Sequence, residues 1–541
     1  MSMNEQAPVQ DWGTRLERHF GQRVVRCYAQ RPADINAMWR GAARRSPQAE
    51  AVVCGDRRLT WAQLEEQARR PAAGLQALGV QPGDRVALLL GNHVEFVVAS
   101  LAVQAAGAVI VPLSIREQTP GLAYILGHCG ASVLVSDAEL QSRWPAASEL
   151  PALRHRLVVG DAPASPGVLP FESLLRHKPL ADCVPVQEED VALVMYTSGT
   201  TGFPKGAMLT HLNVVHSVLH YTQALGLQGP VRAAVVVPLS HVTGLVALMM
   251  VALGLGGTLL VVPQFKAGEF LRLAAAERMD YTIMVPAMYN LCLLQDDFGA
   301  HDLSAWKVGG FGGAPMPPDT IDRFARLLPS LRLSNCYGAT ETTSPATVMP
   351  AQLTREHLAS VGRPVACAEV AVMDEDGREL PPGEEGELWL KGPMVVKGYW
   401  NNPQATEENI VGGYWRSGDM GRRDAEGFVY VLDRRKDMLN RGGYKIYSVE
   451  VENVLCQHPD VLEAAVVARP CPVLGERVHV FVTAREGRRL DAEALRAFCA
   501  ERLSDYKVPE SYTLCAQPLP RNANGKLLKR ELRERLAAEM A

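Results

Sequence analysis

Between Met195 and His211 the chain reads MYTSGTTGFPKGAMLTH. Four hydroxyls (Thr197, Ser198, Thr200, Thr201), three glycines (Gly199, Gly202, Gly206) and Lys205 fall within ten residues there. Glycines let backbone N–H groups turn inward as an anion nest, and hydroxyls with one ammonium add further donors. That set suits a polyphosphate. The spacing is not the Walker pattern, which needs four residues between its Gly and its Gly-Lys. A polar surface loop is the other reading. Against it, the apolar run DVALVMY precedes the segment and the helical pattern LNVVHSVLHY follows it.

Such a loop has to be held by a strand before it and a helix after it, and the chain supplies many of both. Leu59 to Leu78 has helical spacing, with Thr60 and Gln63 forming a capping-box pattern. Pro71 inside it predicts a kink or break. VQPGDRVALLL then reads as turn and strand, VEFVVASLAVQAAG as helix, AVIVPL as strand and TPGLAYILGHCG as helix. Short Val/Ile/Leu runs alternating with helices indicate an α/β fold with parallel strands buried on both faces. Residues 1–40 read as a loosely organised lead-in with a first helix or two. Leu245 to Val262 is almost wholly apolar, but Gly254, Gly256 and Gly257 divide it. It reads as a buried helix and strand, too interrupted for a span of about 20 apolar residues.

From Asp419 to Lys445 the chain turns dense in Gly, Arg and Asp, and helix–strand alternation resumes beyond it. A boundary therefore falls near Asp433 to Asp437, giving a large unit over 1–435 and a small α+β unit over 436–541. The closing KLLKRELRERLAAEM reads as a solvated helix.

YTSGTTGFPKG resembles the signature loop of the adenylate-forming superfamily, which includes acyl-CoA synthetases. Further segments match in the same order. Asn335-Cys-Tyr-Gly-Ala-Thr-Glu341 is similar to the family's adenine and magnesium segment, and Tyr414-Trp-Arg-Ser-Gly-Asp419 to its ribose segment. Asp433-Arg-Arg-Lys436 is similar to its hinge, Arg441-Gly-Gly-Tyr-Lys-Ile446 to its second-step loop, and Pro520-Arg-Asn-Ala-Asn-Gly-Lys526 to its lysine segment. The resemblance implies a large domain of mixed and parallel sheets flanked by helices, with a small mobile C-terminal domain. It implies ATP, Mg2+ and coenzyme A as co-substrates and cofactor.

By this resemblance Thr197, Ser198, Gly199, Thr200, Thr201, Gly202 and Lys205 hold phosphates. Glu341 coordinates Mg2+, the hard cation that carboxylate oxygen suits, while Thr340 donates to the α-phosphate. Tyr337 stacks on adenine against Gly313, Ala314 and Pro315, with Asn335 and Gly338 beside it. Asp419 accepts from the ribose hydroxyls, Arg434 donates to ribose or phosphate, and Lys526 stabilises charge on the α-phosphoryl group. Lys436 is the pivot, Gly442 and Gly443 line a pantetheine tunnel, and Tyr506 with Lys507 lies near the CoA nucleotide. The acid pocket matches His220, His241, Val242, Met288, Phe311, Gly312, Cys336, Thr343 and Ser344, with His241 at its mouth. That mixture suits an aromatic or short-to-medium aliphatic acid. Ser448 departs from the family, which usually has proline there.

The 541 residues carry 55 Lys+Arg against 59 Asp+Glu, so no global basic field serves nucleic acid or anionic lipid. The 11 cysteines are scattered without a C-x-x-C, which points to reduced thiols in a cytoplasmic chain rather than disulfides or zinc. The reaction expected is adenylation of a carboxylic acid followed by transfer to CoA. An enzyme loading a separate carrier protein, or a non-catalytic nucleotide sensor, is the alternative. The chain ends 15 residues after Lys526, which leaves no room for a fused carrier. Oligomeric state is not legible.

Overall fold

A computed structural model describes residues 12–161, 167–197, 204–442, 444–521 and 527–540. The chain forms two compact units. The first holds residues 1–370, 390–416 and 427–429, and the second holds 371–389, 417–426 and 430–541.

The first unit contains two large sheets. In the seven-stranded sheet the strands run Lys205–Thr210, Val191–Thr197, Val109–Pro112, Arg85–Leu89, Val133–Asp137, His155–Val159, Val168–Pro170. All neighbours are parallel except the first pair. The nine-stranded sheet has a parallel centre, including Arg232–Val235, Tyr281–Met284, Val308–Phe311 and Arg332–Tyr337, with antiparallel strands at both ends. Strands such as Arg85–Leu89 and Thr258–Val261 are buried along nearly their whole length, as their unbroken apolar runs require.

Parallel sheets gather their ligands at the carboxyl ends of strands. Asn92 fixes that edge. It follows Arg85–Leu89 of one sheet, and its Nδ2 donates to the carbonyls of Val237 (3.0 Å) and Val262 (3.2 Å), beyond strands of the other. Its Oδ1 accepts from Leu239 N at 2.8 Å, which sets the Val237–His241 segment.

Two expectations are corrected. The lead-in is an antiparallel hairpin, Thr14–His19 with Arg23–Tyr28, followed by the helix Ile35–Arg45. In RVVRCY burial alternates, with Val25 and Cys27 inward and Val24 and Arg26 outward, the period of a strand. Arg31 ties this hairpin down through Glu17 and Glu188. Glu17, His19 and Cys27 bring potential ligand atoms within 4.8 Å of one another. Arg31 already holds Glu17 below the carboxylate range, and burial pushes the Cys27 thiol up to about 12.

Nor does Pro71 break its helix, which runs Trp61–Ala77 with the capping box formed as expected. The missing N–H costs about 3 kcal/mol in an isolated helix. Here Pro71 is buried, and the following residue, Ala72, packs on Ala102, Ala105 and Ala106. Packing of this face overrides local preference.

Residues 243–261 form the expected buried helix and strand, and no described helix is long and apolar enough to cross a membrane. All eleven cysteines are free.

In the second unit, Leu439–Arg441, Tyr444–Ile446, Val461–Cys471 and Gly475–Ala484 make an antiparallel sheet, joined in parallel by Ser511–Cys515. Val461–Cys471 buries both faces. Val466 meets Val451, Leu455 and Leu495, while Ala465 and Val467 meet Leu532 and Leu536 of the closing helix Lys529–Met540. That helix is thus solvated except for one i, i+4 stripe.

The helix His211–Ala224 is buried along most of its length and carries three histidines. Burial lowers His211 to about 4 and His216 to about 3, and holds His220 well below its ordinary value. A depressed histidine is neutral in the folded state, so protons bind the unfolded chain first as pH falls below about 6.5. Stability should therefore decline from pH 6.5 toward 4. His216→Phe should flatten that limb by about 1.4 kcal/mol per pH unit, as read by denaturant unfolding at several pH values. An unchanged slope would remove His216 from the acid response.

Candidate active site

Thr197 and Lys205 are opposite each other in the antiparallel ladder of Val191–Thr197 with Lys205–Thr210, and Tyr196 faces Gly206. The hydroxyl- and glycine-rich loop thus springs from a hairpin neck at the end of a parallel sheet. A Cβ at Gly206 would lie 2.8 Å from Val194 Cγ1, so the neck closes only on glycine. Ser198, Gly199, Thr200, Thr201 and Gly202 lie outside the described residues, as do Gly443 and Lys526.

Glu341 meets this neck across 144 residues of sequence: Thr197 Oγ1 donates to its Oε1 at 3.0 Å. Tyr399 OH donates to the same oxygen at 3.3 Å and accepts from Trp415 Nε1 at 3.2 Å. The segment 397–400 lies beside the neck through Trp400 N to Gly206 O (2.7 Å) and Lys397 N to Met208 O (3.1 Å). This places the Tyr399 ring 5.1 Å from Lys205 Nζ, a cation–π contact. Burial and the Glu341 carboxylate push the Tyr399 phenol up, so it donates. Thr197, Lys205, Glu341 and Tyr399 therefore share one place. Tyr399 is the member that sequence reading missed, since GYWNN carries no pattern of its own.

Glu341 sits in the turn Thr340–Thr342, after the strand Arg332–Tyr337. The next two residues are both left-handed, Thr343 at φ 51° and Ser344 at φ 60°. Such backbone costs on the order of 1–3 kcal/mol per residue and persists only where its surroundings enforce it. Here Ser344 Oγ pairs with Tyr221 OH at 2.5 Å, while Thr343 Oγ1 is buried with no partner. Tyr337 and Asn335 are half-buried on the preceding strand, with Asn335 Nδ2 donating to Ser360 O at 3.2 Å. Gly313, Ala314 and Pro315 are exposed just past Val308–Phe311. Gly338 follows Tyr337, where a Cβ would come within 3.0 Å of Thr342 Oγ1.

The expected acid pocket falls in this unit too. Phe311 and Cys336 are buried on adjacent strands, and a Cβ at Gly312 would lie 2.3 Å from Cys336 O. Met288 is half-buried on the helix Pro286–Leu293, and Val242 is buried. His241 is half-buried; burial lowers its pKa, and its Nδ1 accepts from Thr243 N at 3.3 Å. That leaves the proton on Nε2. His220 is fully buried with both ring nitrogens unpartnered, and it lines a cavity of about 190 Å³ with Gln223, Val348 and Val365.

In the second unit, Arg434 Nε pairs with Asp419 Oδ1 at 2.6 Å, and Asp419 N donates to Ser417 Oγ at 3.0 Å. Asp433 accepts from the backbone N–H of Arg434 (2.7 Å) and of Ser448. Proline at 448 would have no N–H to give. Ser448 Oγ accepts in addition from Lys529 Nζ at 2.6 Å, which accounts for the departure at this position. Lys436 is exposed, and its carbonyl accepts from Arg533 Nη2 at 3.1 Å. Tyr506 stacks on Tyr444 (4.7 Å, 25°), and Lys507 pairs with Glu450 at 2.7 Å.

A glycine- and hydroxyl-rich neck joined to a lone carboxylate at the carboxyl edge of parallel strands defines a nucleotide-dependent enzyme. The chain belongs to the AMP-binding enzyme family: that family matches residues 39–400, and its C-terminal domain matches residues 450–526. A feruloyl-CoA synthase of an Amycolatopsis species is 38% identical over 493 residues, 91% of this chain and 97% of the relative. An anthranilate CoA ligase solved with anthranoyl-AMP superposes with a TM-score of 0.85 at 25% identity, covering 94% of this chain and 98% of that one. An o-succinylbenzoate CoA synthetase from Bacillus subtilis, solved with ATP and magnesium, gives 0.82 at 29% identity, with 92% and 99% covered. The protein is accordingly an AMP-forming acid–CoA ligase with ATP, Mg2+ and CoA as its small-molecule partners.

Glu341→Gln keeps the shape but removes the charge, and if Glu341 holds Mg2+ as the resemblance implies, the neutral amide oxygen is a weaker ligand. ATP–pyrophosphate exchange should fall by at least about tenfold while unfolding stability changes by less than about 1 kcal/mol. A magnesium titration identical to that of the unaltered enzyme would assign the metal to another group.

Proposed function

We propose that this ligase activates an aromatic or short-to-medium aliphatic acid, an aromatic one by preference, through residues of the 197–205 loop, the 335–344 segment and the small C-terminal domain. The observation that carries the site assignment is the bond from Thr197 to Glu341, which couples the phosphate-type loop to the carboxylate best suited to Mg2+. Thr197, Ser198, Gly199, Thr200, Thr201, Gly202 and Lys205 cradle phosphates. Thr340 donates to the α-phosphate, and Tyr337 with Gly313, Ala314 and Pro315 encloses adenine. Asp419 and Arg434, already paired, hold the ribose. Aromatic preference rests on the feruloyl and anthranilate relatives, and on the buried polar atoms of His220 and Thr343 that lack partners.

Charge grows on the α-phosphoryl oxygens as the acid's carboxylate attacks and pyrophosphate leaves, and Lys526 is the cation proposed to meet it. The CoA thiol then attacks the acyl carbon and AMP departs. For this the small domain, residues 436–541, turns about Lys436, and Gly442, Gly443 and Tyr506 border the incoming CoA. Free cysteines throughout the chain support a cytoplasmic location.

A carboxylic-acid panel read by pyrophosphate release, with CoA and with a holo-carrier protein, tests the reaction and its substrate. Hydroxylated or amino-substituted aromatic acids should head the panel, and His220→Leu should lower their advantage over unsubstituted analogues. An unchanged order would take His220 out of the acid pocket. Thioester on the carrier alone would exchange the acceptor.

Lys526→Ala should cost several kcal/mol in adenylation. Transfer of a supplied acyl adenylate to CoA should survive, because the proposed turn of the small domain carries Lys526 away from the site before that step. Equal loss of both half-reactions would refute the assignment.

A further inference from the structure

The helix Thr119–Cys129 matches none of the motifs above, yet three rings join it to the neck of the 197–205 loop. Tyr124 and His128, one turn apart on this helix, stack with ring centroids 5.4 Å apart and planes 20° from parallel. His128 Nδ1 lies 2.7 Å from Tyr196 OH. Tyr196 precedes Thr197 on the outgoing strand. On the returning side, Tyr124 OH donates to the carbonyl of Pro204 at 3.2 Å. The two phenols also meet edge to face, 6.5 Å apart at 83°. One helix therefore grips both flanks of the loop.

The grip is itself supported. Gly130, left-handed at φ 61°, ends the helix just after His128 and Cys129. Asn401 Nδ2 donates to the carbonyl of His128 at 3.1 Å. Asn401 belongs to the segment after Tyr399, the tyrosine that reaches Glu341. Burial lowers His128, so its ring is neutral near pH 7 and pairs with the Tyr196 hydroxyl through Nδ1. Nothing here touches a reacting atom by its own reach; the rings lie beneath the neck.

A loop that wraps phosphates gives up conformational entropy when the ligand binds, and a neck fixed beforehand lowers that cost. We infer that Tyr124 and His128 are positioning residues which hold the two ends of the 197–205 loop and so set the enzyme's affinity for ATP. The inference rests on the reading that this loop binds the phosphates of ATP. The same residues have no part in the thioester step, when pyrophosphate has gone.

Tyr124→Phe removes one hydroxyl and keeps the stacked ring. His128→Ala removes the partner of the Tyr196 hydroxyl, and His128→Asn returns one near the Nδ1 position. Steady-state ATP–pyrophosphate exchange should show the KM for ATP raised about fivefold in Tyr124→Phe and in His128→Ala, the worth of one hydrogen bond. His128→Asn should recover most of the loss. The KM for the acid, and transfer from a supplied acyl adenylate to CoA, should match the unaltered enzyme. Unchanged KM for ATP in both variants would overturn the inference, as would an equal rise in the KM for the acid, the mark of general loosening. Lys205→Ala, assayed alongside, separates the two layers. If Lys205→Ala raises the KM for ATP and the ring variants do not, only the clamp fails. If Lys205→Ala leaves ATP use intact, the phosphate reading of the loop fails and the clamp with it.

Discussion

One carboxylate oxygen joins three distant stretches of this chain. Oε1 of Glu341 receives the Thr197 hydroxyl and the Tyr399 phenol, and the three residues come from separate parts of the chain. For that meeting the strand Val191–Thr197 must end at the same edge as Arg332–Tyr337, although the two belong to different sheets. Asn92 secures the common edge with three hydrogen bonds to segments following the other sheet's strands. A half-buried amide with three backbone partners resists slippage of one sheet past the other, because slippage would leave polar groups unsatisfied.

Around this point the protein holds polar groups in costly places. The helix His211–Ala224 is lined with side chains that amphipathic helices normally expose, and most are individually satisfied. Asn213 donates to the carbonyls of Pro393 and Val395, His216 accepts from Tyr28 N, and Thr222 donates to Val218 O. Ser217 and His220 of this helix break the pattern, as does Thr343 elsewhere, with hydroxyls and ring nitrogens that have no partner. Thr343 also sits in the left-handed backbone that β-branched residues avoid. Unsatisfied buried atoms and left-handed backbone both cost free energy, which the surrounding packing has to supply.

The second unit answers a different need. Its central strand Val461–Cys471 buries both faces, so the unit has its own core. Asp433 links the two ends of the 434–447 stretch by accepting from the N–H groups of Arg434 and Ser448. Lys436 stands exposed between those anchors. Its carbonyl accepts from Arg533 of the closing helix, so the closing helix also anchors this stretch.

Much of this was legible in the chain itself. Period-two and period-3.6 patterns gave the alternating elements, the Thr60–Gln63 cap and the buried helix–strand pair at 243–261, because each depends on neighbours within a few residues. Composition within ten residues marked the loop after Tyr196, because an anion nest is a local arrangement of glycines and hydroxyls. Where the chain misled, tertiary packing had overruled local preference. Pro71 stays within its helix because small residues pack closely around the adjoining Ala72, and the lead-in pairs with itself as a hairpin held by Arg31. The partners of Glu341, the ring cluster under the loop neck and the N–H that Ser448 gives to Asp433 were beyond sequence reading. Each joins residues whose proximity is created only by the order of strands in a sheet, and no spacing along the chain records that order.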